Sequence, residues 1–199
     1  QCAIGGGEDQ FGPMGVPLAG RGARFEAGLE AVKALLAGEV VDDPDGPWGL
    51  RQARISPTPP ESVEVWIGGS GPKALARAAH MGDTWYAGPE LTDADAAAKL
   101  AEYLDHGVDP PCRPLRRDVY VGADDADVAR VAGPLETTGY RGFDLSALVT
   151  GTVEQVAERL LALGAAGFDE IVVRQLAPDQ ADALASIGRL AEVRRLVDA

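Results

Sequence analysis

Apolar residues at Phe25, Leu29, Val32 and Leu36 recur at i, i+4, i+7 and i+11, placing them on one face of a helix predicted from Arg21 to about Gly38. Shorter runs rich in β-branched and aromatic residues read differently. Val63–Ile67 (VEVWI) predicts a strand, followed at once by GGSGP and the helical run KALARAAHMG. The alternation then repeats. Thr84–Ala87 reads as a strand and Thr92–His106 as a helix, Asp118–Gly122 as a strand and Asp124 to about Glu136 as a helix. Thr152 and Gln155 form a capping-box pattern for a helix through Leu163, Glu170–Arg174 reads as a strand, and Asp179–Val197 as a closing amphipathic helix. Two stretches break the rhythm: Glu8–Gly20 reads as a long loop, and Asp42–Pro60 as an irregular excursion with room for one short hairpin.

About five strand–helix units of this kind imply a mostly parallel sheet covered by helices. The count fits both an open doubly wound sheet and part of a closed barrel.

Composition narrows the partners. The 199 residues are 46% hydrophobic and 25% charged, those of a globular chain able to bury a core, with one domain expected over residues 1–199. A net charge of −13 argues against nucleic acid, which is held by clustered Lys and Arg. It does not exclude an anionic cofactor, because a nest of backbone N–H groups holds phosphate locally. No apolar run approaches the roughly 20 residues of a membrane span, and the start QCAIGGGEDQ is unlike a signal peptide, so a cytoplasmic location is expected. Cys2 and Cys112 lie far apart without metal-ligand spacing and read as free thiols; no metal site is expected.

Candidate chemistry concentrates in WIGGSGPKALARAAHMGD, Trp66–Asp83. A strand ends, Gly68 and Gly69 allow a tight turn, Ser70 is placed as N-cap or phosphate donor, and Gly71 and Pro72 open a helix whose first N–H groups face the loop. Lys73 and Arg77, one turn apart, can add positive charge or lie on a solvated face. The alternatives are a phosphate site and a plain strand–helix turn. The loop matches neither the Walker A pattern nor GxGxxG. His80 and His106 read as structural, Trp66, Trp85 and Tyr86 as core aromatics with cofactor stacking as the alternative, and the acids around Asp93 and Asp124 as helix starts. No catalytic residue is identified.

Four segments in order, IGGGEDQFGPMG, RGARFEAGLEAVKALLAGE, WIGGSGPKALARAAHMGDTW and GTVEQVAERLLALGAAGFDEIVV, resemble the luciferase-like monooxygenase family over nearly the whole chain. The resemblance implies a (β/α)8 TIM barrel of which this sequence carries strands four to eight, the first three strand–helix units being absent. It implies an oxidoreductase or monooxygenase using F420 or FMN on a small organic substrate. Gly69, Ser70, Gly71 and Lys73 would contact the cofactor phosphate, with Gly6 and Gly7 beside the cofactor. Thr84 stands where the family usually has glycine in Gly-Asp-Gly-Trp. The open strand edges of an incomplete barrel imply a homo-oligomer or another chain supplying the missing strands. Two other readings are carried forward: a non-catalytic flavin-binding remnant or partner subunit, and an unrelated α/β protein binding a phosphorylated metabolite.

Overall fold

A computed structural model describes residues 1–5 and 8–199, the side chain of Glu8 excepted. The glycines Gly6 and Gly7 therefore lie outside the described residues. The elements run α1 (Glu8–Phe11), α2 (Arg21–Leu36), β1 (Val41–Asp43), β2 (Leu50–Ala53), β3 (Trp66–Gly68), α3 (Pro72–Met81), β4 (Thr84–Tyr86), α4 (Asp93–Leu104), β5 (Pro114–Val121), α5 (Asp125–Thr138), β6 (Val149–Gly151), α6 (Val153–Ala165), β7 (Glu170–Gln175) and α7 (Gln180–Val197).

Parallel pairing follows chain order. Cys2 bridges to Ile67 of β3, β3 pairs with β4, Ala87 just after β4 bridges to Leu115 of β5, and β5 pairs with β7. β6 lies parallel to the far end of β5, Val119 opposite Val149. The excursion holds the anticipated hairpin, β1 antiparallel to β2.

Alternation along each strand separates two faces. Val65, Ile67, Trp85 and Leu115 join Leu29 of α2, Leu75 and Ala78 of α3, Leu100 and Tyr103 of α4 and Leu163 of α6 in the main core. Val119 and Val121 continue that face beneath Val156 of α6 and Val193 of α7. Trp66, Tyr86, Arg116, Asp118, Tyr120 and Arg174 occupy the opposite face by the same alternation. The exception to helices on one side is α5, whose Val131 packs with Tyr120 and Leu176 in a third cluster. The result is an α/β fold with helices gathered mainly on one side of parallel strands, without closure of the sheets into a ring.

Buried charge is paired across elements. Fully buried Arg117 of β5 donates through Nη2 to Asp93 of α4 at 2.8 Å, and Arg159 of α6 donates through Nε to the other oxygen of Asp93 at 2.9 Å. Burial works against ionised Asp93, but hydrogen bonds from Arg159 and Arg117 outweigh it and hold the carboxyl below its usual range. At the end of β5, the Val121 N–H donates to the buried Ser186 hydroxyl at 2.9 Å, and the Val121 carbonyl accepts from Arg189 Nη1 at 3.0 Å.

Several expectations need correction. Glu8–Phe11, read as loop, forms α1. Cys2–Gly5, which stands as the fourth strand in the barrel count, contributes a single bridge at Cys2 rather than a full strand. β5 starts at Pro114, four residues before Asp118, and β6 went unrecognised. Val32, which shares the apolar face of α2 with Leu29, is 48% exposed, and Leu29 is the buried residue of that helix. Both cysteines are free thiols. Among the described residues no helix is long and apolar enough to cross a membrane, and no group of three or more His, Cys, Asp and Glu is placed to hold a metal ion.

Candidate functional site

The loop after β3 is shaped by a backbone that a side chain resists. Gly69 has φ +124°, and a Cβ there would stand 2.8 Å from the Cβ of Ala74. The Gly69 carbonyl accepts a hydrogen bond from Trp85 Nε1 at 2.8 Å, tying the loop to the neighbouring strand. Gly71 then serves as the extended N-cap of α3, with Pro72 in the first turn. Its carbonyl accepts from Ala74 and Leu75 at 2.8 and 3.1 Å.

Ser70 is therefore not the N-cap the sequence suggested, and α3 has no side-chain cap. Among the described residues the Ser70 hydroxyl makes no hydrogen bond, nor do the N–H groups of Ser70, Gly71 and Lys73 donate one. These are the orphan donors that a helix start presents to an anion.

A second helix start meets the first. α2 opens behind Gly20, at φ 70° and ψ 10°, again without a side-chain cap. Arg24 steadies the preceding turn by donating to the carbonyls of Ala19 at 2.8 Å and Pro17. α2 and α3 run side by side in the same direction, fastened at two levels. Arg77 Nη2 meets Glu26 at 2.8 Å near their beginnings, and Lys33 Nζ donates to the Met81 carbonyl at 2.9 Å near the end of α3. The Arg77 guanidinium also lies 5.8 Å over the Phe25 ring.

Between the two helix starts lies a cavity of about 810 Å³, walled by Ile4 and Gly5, by Gly20–Ala23, and by Gly68–Gly71 with Lys73 and Arg77. Each helix start carries about half a positive charge. The exposed Lys73 ammonium adds a full one, whereas the charge of Arg77 is spent on Glu26. The arrangement suits a phosphate group that enters from solvent with an organic body trailing along the cavity.

Four of the residues singled out from sequence, Gly69, Ser70, Gly71 and Lys73, line this cavity together. Gly6 and Gly7 lie outside the described residues, though the preceding Gly5 is part of the wall. Sequence reasoning missed the contribution of Gly20–Ala23 and the Glu26–Arg77 clasp. His80 and His106 stand edge to face, ring centroids 5.9 Å apart, outside the cavity. Trp66 and Tyr86 stack on each other at 6.0 Å on the face opposite the main core, and Trp85 lies in the core.

The family model described as luciferase-like monooxygenase matches residues 3–147. Uncharacterised proteins of Mycobacterium tuberculosis and Mycobacterium bovis are each 32% identical over 75 residues, which is 38% of this chain and 26% of theirs. Among solved structures, a monooxygenase from Streptomyces bottropensis superposes with TM-score 0.74 at 18% identity, over 99% of this chain and 68% of that one. An F420-dependent secondary alcohol dehydrogenase in complex with an F420–acetone adduct gives 0.70 at 17% identity, over 90% and 63%. EDTA monooxygenase from Chelativorans sp. BNC1 gives 0.69 at 18%, over 96% and 64%. The chain thus spans about a quarter of the curated relatives it matches and under two thirds of the dehydrogenase.

Proposed function

The chain belongs to the luciferase-like monooxygenase family, and from that premise we propose that it binds FMN or the deazaflavin F420, phosphate end first, in the cavity between α2 and α3. The observation that carries this reading is the convergence of two parallel, uncapped helix starts on one cavity with Lys73 at its rim. Gly69 lets the loop approach the ligand, Ser70 and the N–H groups of Ser70, Gly71 and Lys73 donate to the phosphate, and Lys73 offsets its charge.

On this reading the protein is an oxidoreductase or monooxygenase acting on a small organic substrate in the cytoplasm. The bound cofactor supplies the hydride or oxygen chemistry, and the protein supplies binding and orientation. A solved structure described as F420-dependent, and another, of a riboflavin lyase described with a modified FMN, support the two cofactors. Strand pairing in chain order with helices mainly on one face supports residues 1–199 as a single domain carrying strands four to eight of a (β/α)8 barrel.

Fluorescence titration of the 199-residue chain with FMN and with F420 tests the reading. Saturable binding is expected, with Ser70→Asp weakening it about tenfold or more by setting a carboxylate against the phosphate. A folded chain that binds neither cofactor, or a Ser70→Asp variant that binds as well as the parent, contradicts it.

A further inference from the structure

Away from the cavity between α2 and α3, the face of the strands opposite the main core carries a staggered row of side chains: Trp66 on β3, Tyr86 on β4, Arg116 and Asp118 on β5, and Arg174 on β7. The stagger of the strands sets their height. Ala87, just past the end of β4, is level with Leu115, so Arg116 and Asp118 stand at the carboxyl ends of β3 and β4, and Arg174 is level with Asp118. That is the end of parallel strands at which α/β enzymes bind their ligands.

The charges in this row do not cancel. The Asp118 carboxylate is completely buried. One of its oxygens accepts from Arg116 Nε at 3.1 Å and Nη2 at 2.9 Å, and the other accepts from the Tyr140 hydroxyl at 2.7 Å. Arg174 Nη1 comes no nearer than 3.6 Å to that second oxygen. One carboxylate thus faces two guanidinium groups, leaving an excess positive charge on a chain whose net charge is −13. The side chain of Arg174 is 49% exposed and that of Arg116 24%. Among the described residues, Arg116 Nη1 and the Nε and Nη2 of Arg174 have no protein acceptor. Below them toward the amino ends of the strands lie the stacked rings of Tyr86, which is buried, and Trp66, whose Nε1 donates to the Glu64 carboxylate at 2.9 Å.

We propose that Arg116 and Arg174 hold the oxyanion of the substrate, a carboxylate or phosphate group on a small organic body. The planar fork of a guanidinium matches either oxyanion through paired N–H donors. Asp118 is a positioning residue: buried and triply bonded, it fixes the fork of Arg116 and keeps Arg174 near without neutralising both. This inference deepens the oxidoreductase reading by naming the class of substrate.

Ligand-detected NMR titration of the 199-residue chain tests it, with benzoate and phenyl phosphate as probes and benzamide as the uncharged control. Saturable binding of benzoate or phenyl phosphate is expected, the tighter of the two naming the oxyanion, with benzamide at least about tenfold weaker. Arg174→Gln, at a half-exposed position that leaves the core intact, should weaken the anionic probe about tenfold, and Arg174→Lys should recover part of the loss. Benzamide binding as tightly as benzoate, no binding of either anion, or an Arg174→Gln variant that binds like the parent each overturns the proposal. FMN and F420 titrations on the same samples separate the two ideas. Cofactor binding without oxyanion binding removes the substrate inference alone, and oxyanion binding without cofactor binding removes the cofactor reading alone.

Discussion

The Trp85 indole, 1% exposed in the main core, donates through Nε1 to the Gly69 carbonyl at 2.8 Å, so a residue of the hydrophobic core sets the conformation of the loop at the cavity between α2 and α3. Its ring serves packing and its one polar atom serves the site.

Trp85→Phe keeps an aromatic ring but deletes that donor, leaving the Gly69 carbonyl to solvent. Stability is expected to fall by about 1–3 kcal/mol, from the lost hydrogen bond and the smaller ring. Urea denaturation measures this. Cofactor affinity, followed by fluorescence titration, should fall as the loop loosens.

Gly69→Ala adds a methyl where the backbone has φ +124° and the Cβ of Ala74 would lie 2.8 Å away. A loss of about 1–3 kcal/mol in urea denaturation is expected. A neighbouring Gly71→Ala, at φ −78° with open space around its added Cβ, should cost much less and serves as the control.

Lys73→Gln removes an exposed charge at the rim of the cavity. The expected loss in FMN affinity is about two- to fivefold, shrinking as salt rises, because a solvated charge contributes little and is readily screened. Titrations at low and high ionic strength distinguish this from the larger, less salt-sensitive effect expected of Ser70→Asp.

Asp93→Asn leaves the buried Arg117 guanidinium without its carboxylate and should destabilise the fold by about 3 kcal/mol. The pH dependence has a definite sign. The carboxyl of Asp93 is held below its ordinary value in the folded chain, so its contribution is present above about pH 4 and is lost as pH falls through the depressed native value. Denaturation midpoints measured between pH 7 and pH 3 should therefore converge for parent and variant on the acid side.

The helices and the main strands were legible because their patterning agrees with their burial. Thr92, Asp124, Thr152 and Asp179 each accept a hydrogen bond from the backbone N–H three residues on, so those four starts are written locally. The early part of β5 was hidden by Arg116 and Arg117, which look like surface residues. They lie in a strand because Asp118 and Asp93, on β5 and α4, satisfy them. β6 was missed because Val149–Gly151 lacks the aromatic residues that marked the equally short β3 and β4. At the candidate site, the loop between Gly69 and Lys73 was visible as glycines before a helix. The contribution of α2 was not, since nothing near Gly20 says that Glu26 will meet Arg77, 51 residues away.

The clasp at Val121 bears on how the chain is made. Both polar groups of that residue are satisfied by Ser186 and Arg189, side chains more than sixty positions later. During synthesis, β5 emerges from the ribosome and waits with its last peptide group unmatched until α7 follows. A chain stopped short of Arg189 therefore leaves the end of β5 unfinished, and this strand is completed only once α7 has been made as far as Arg189.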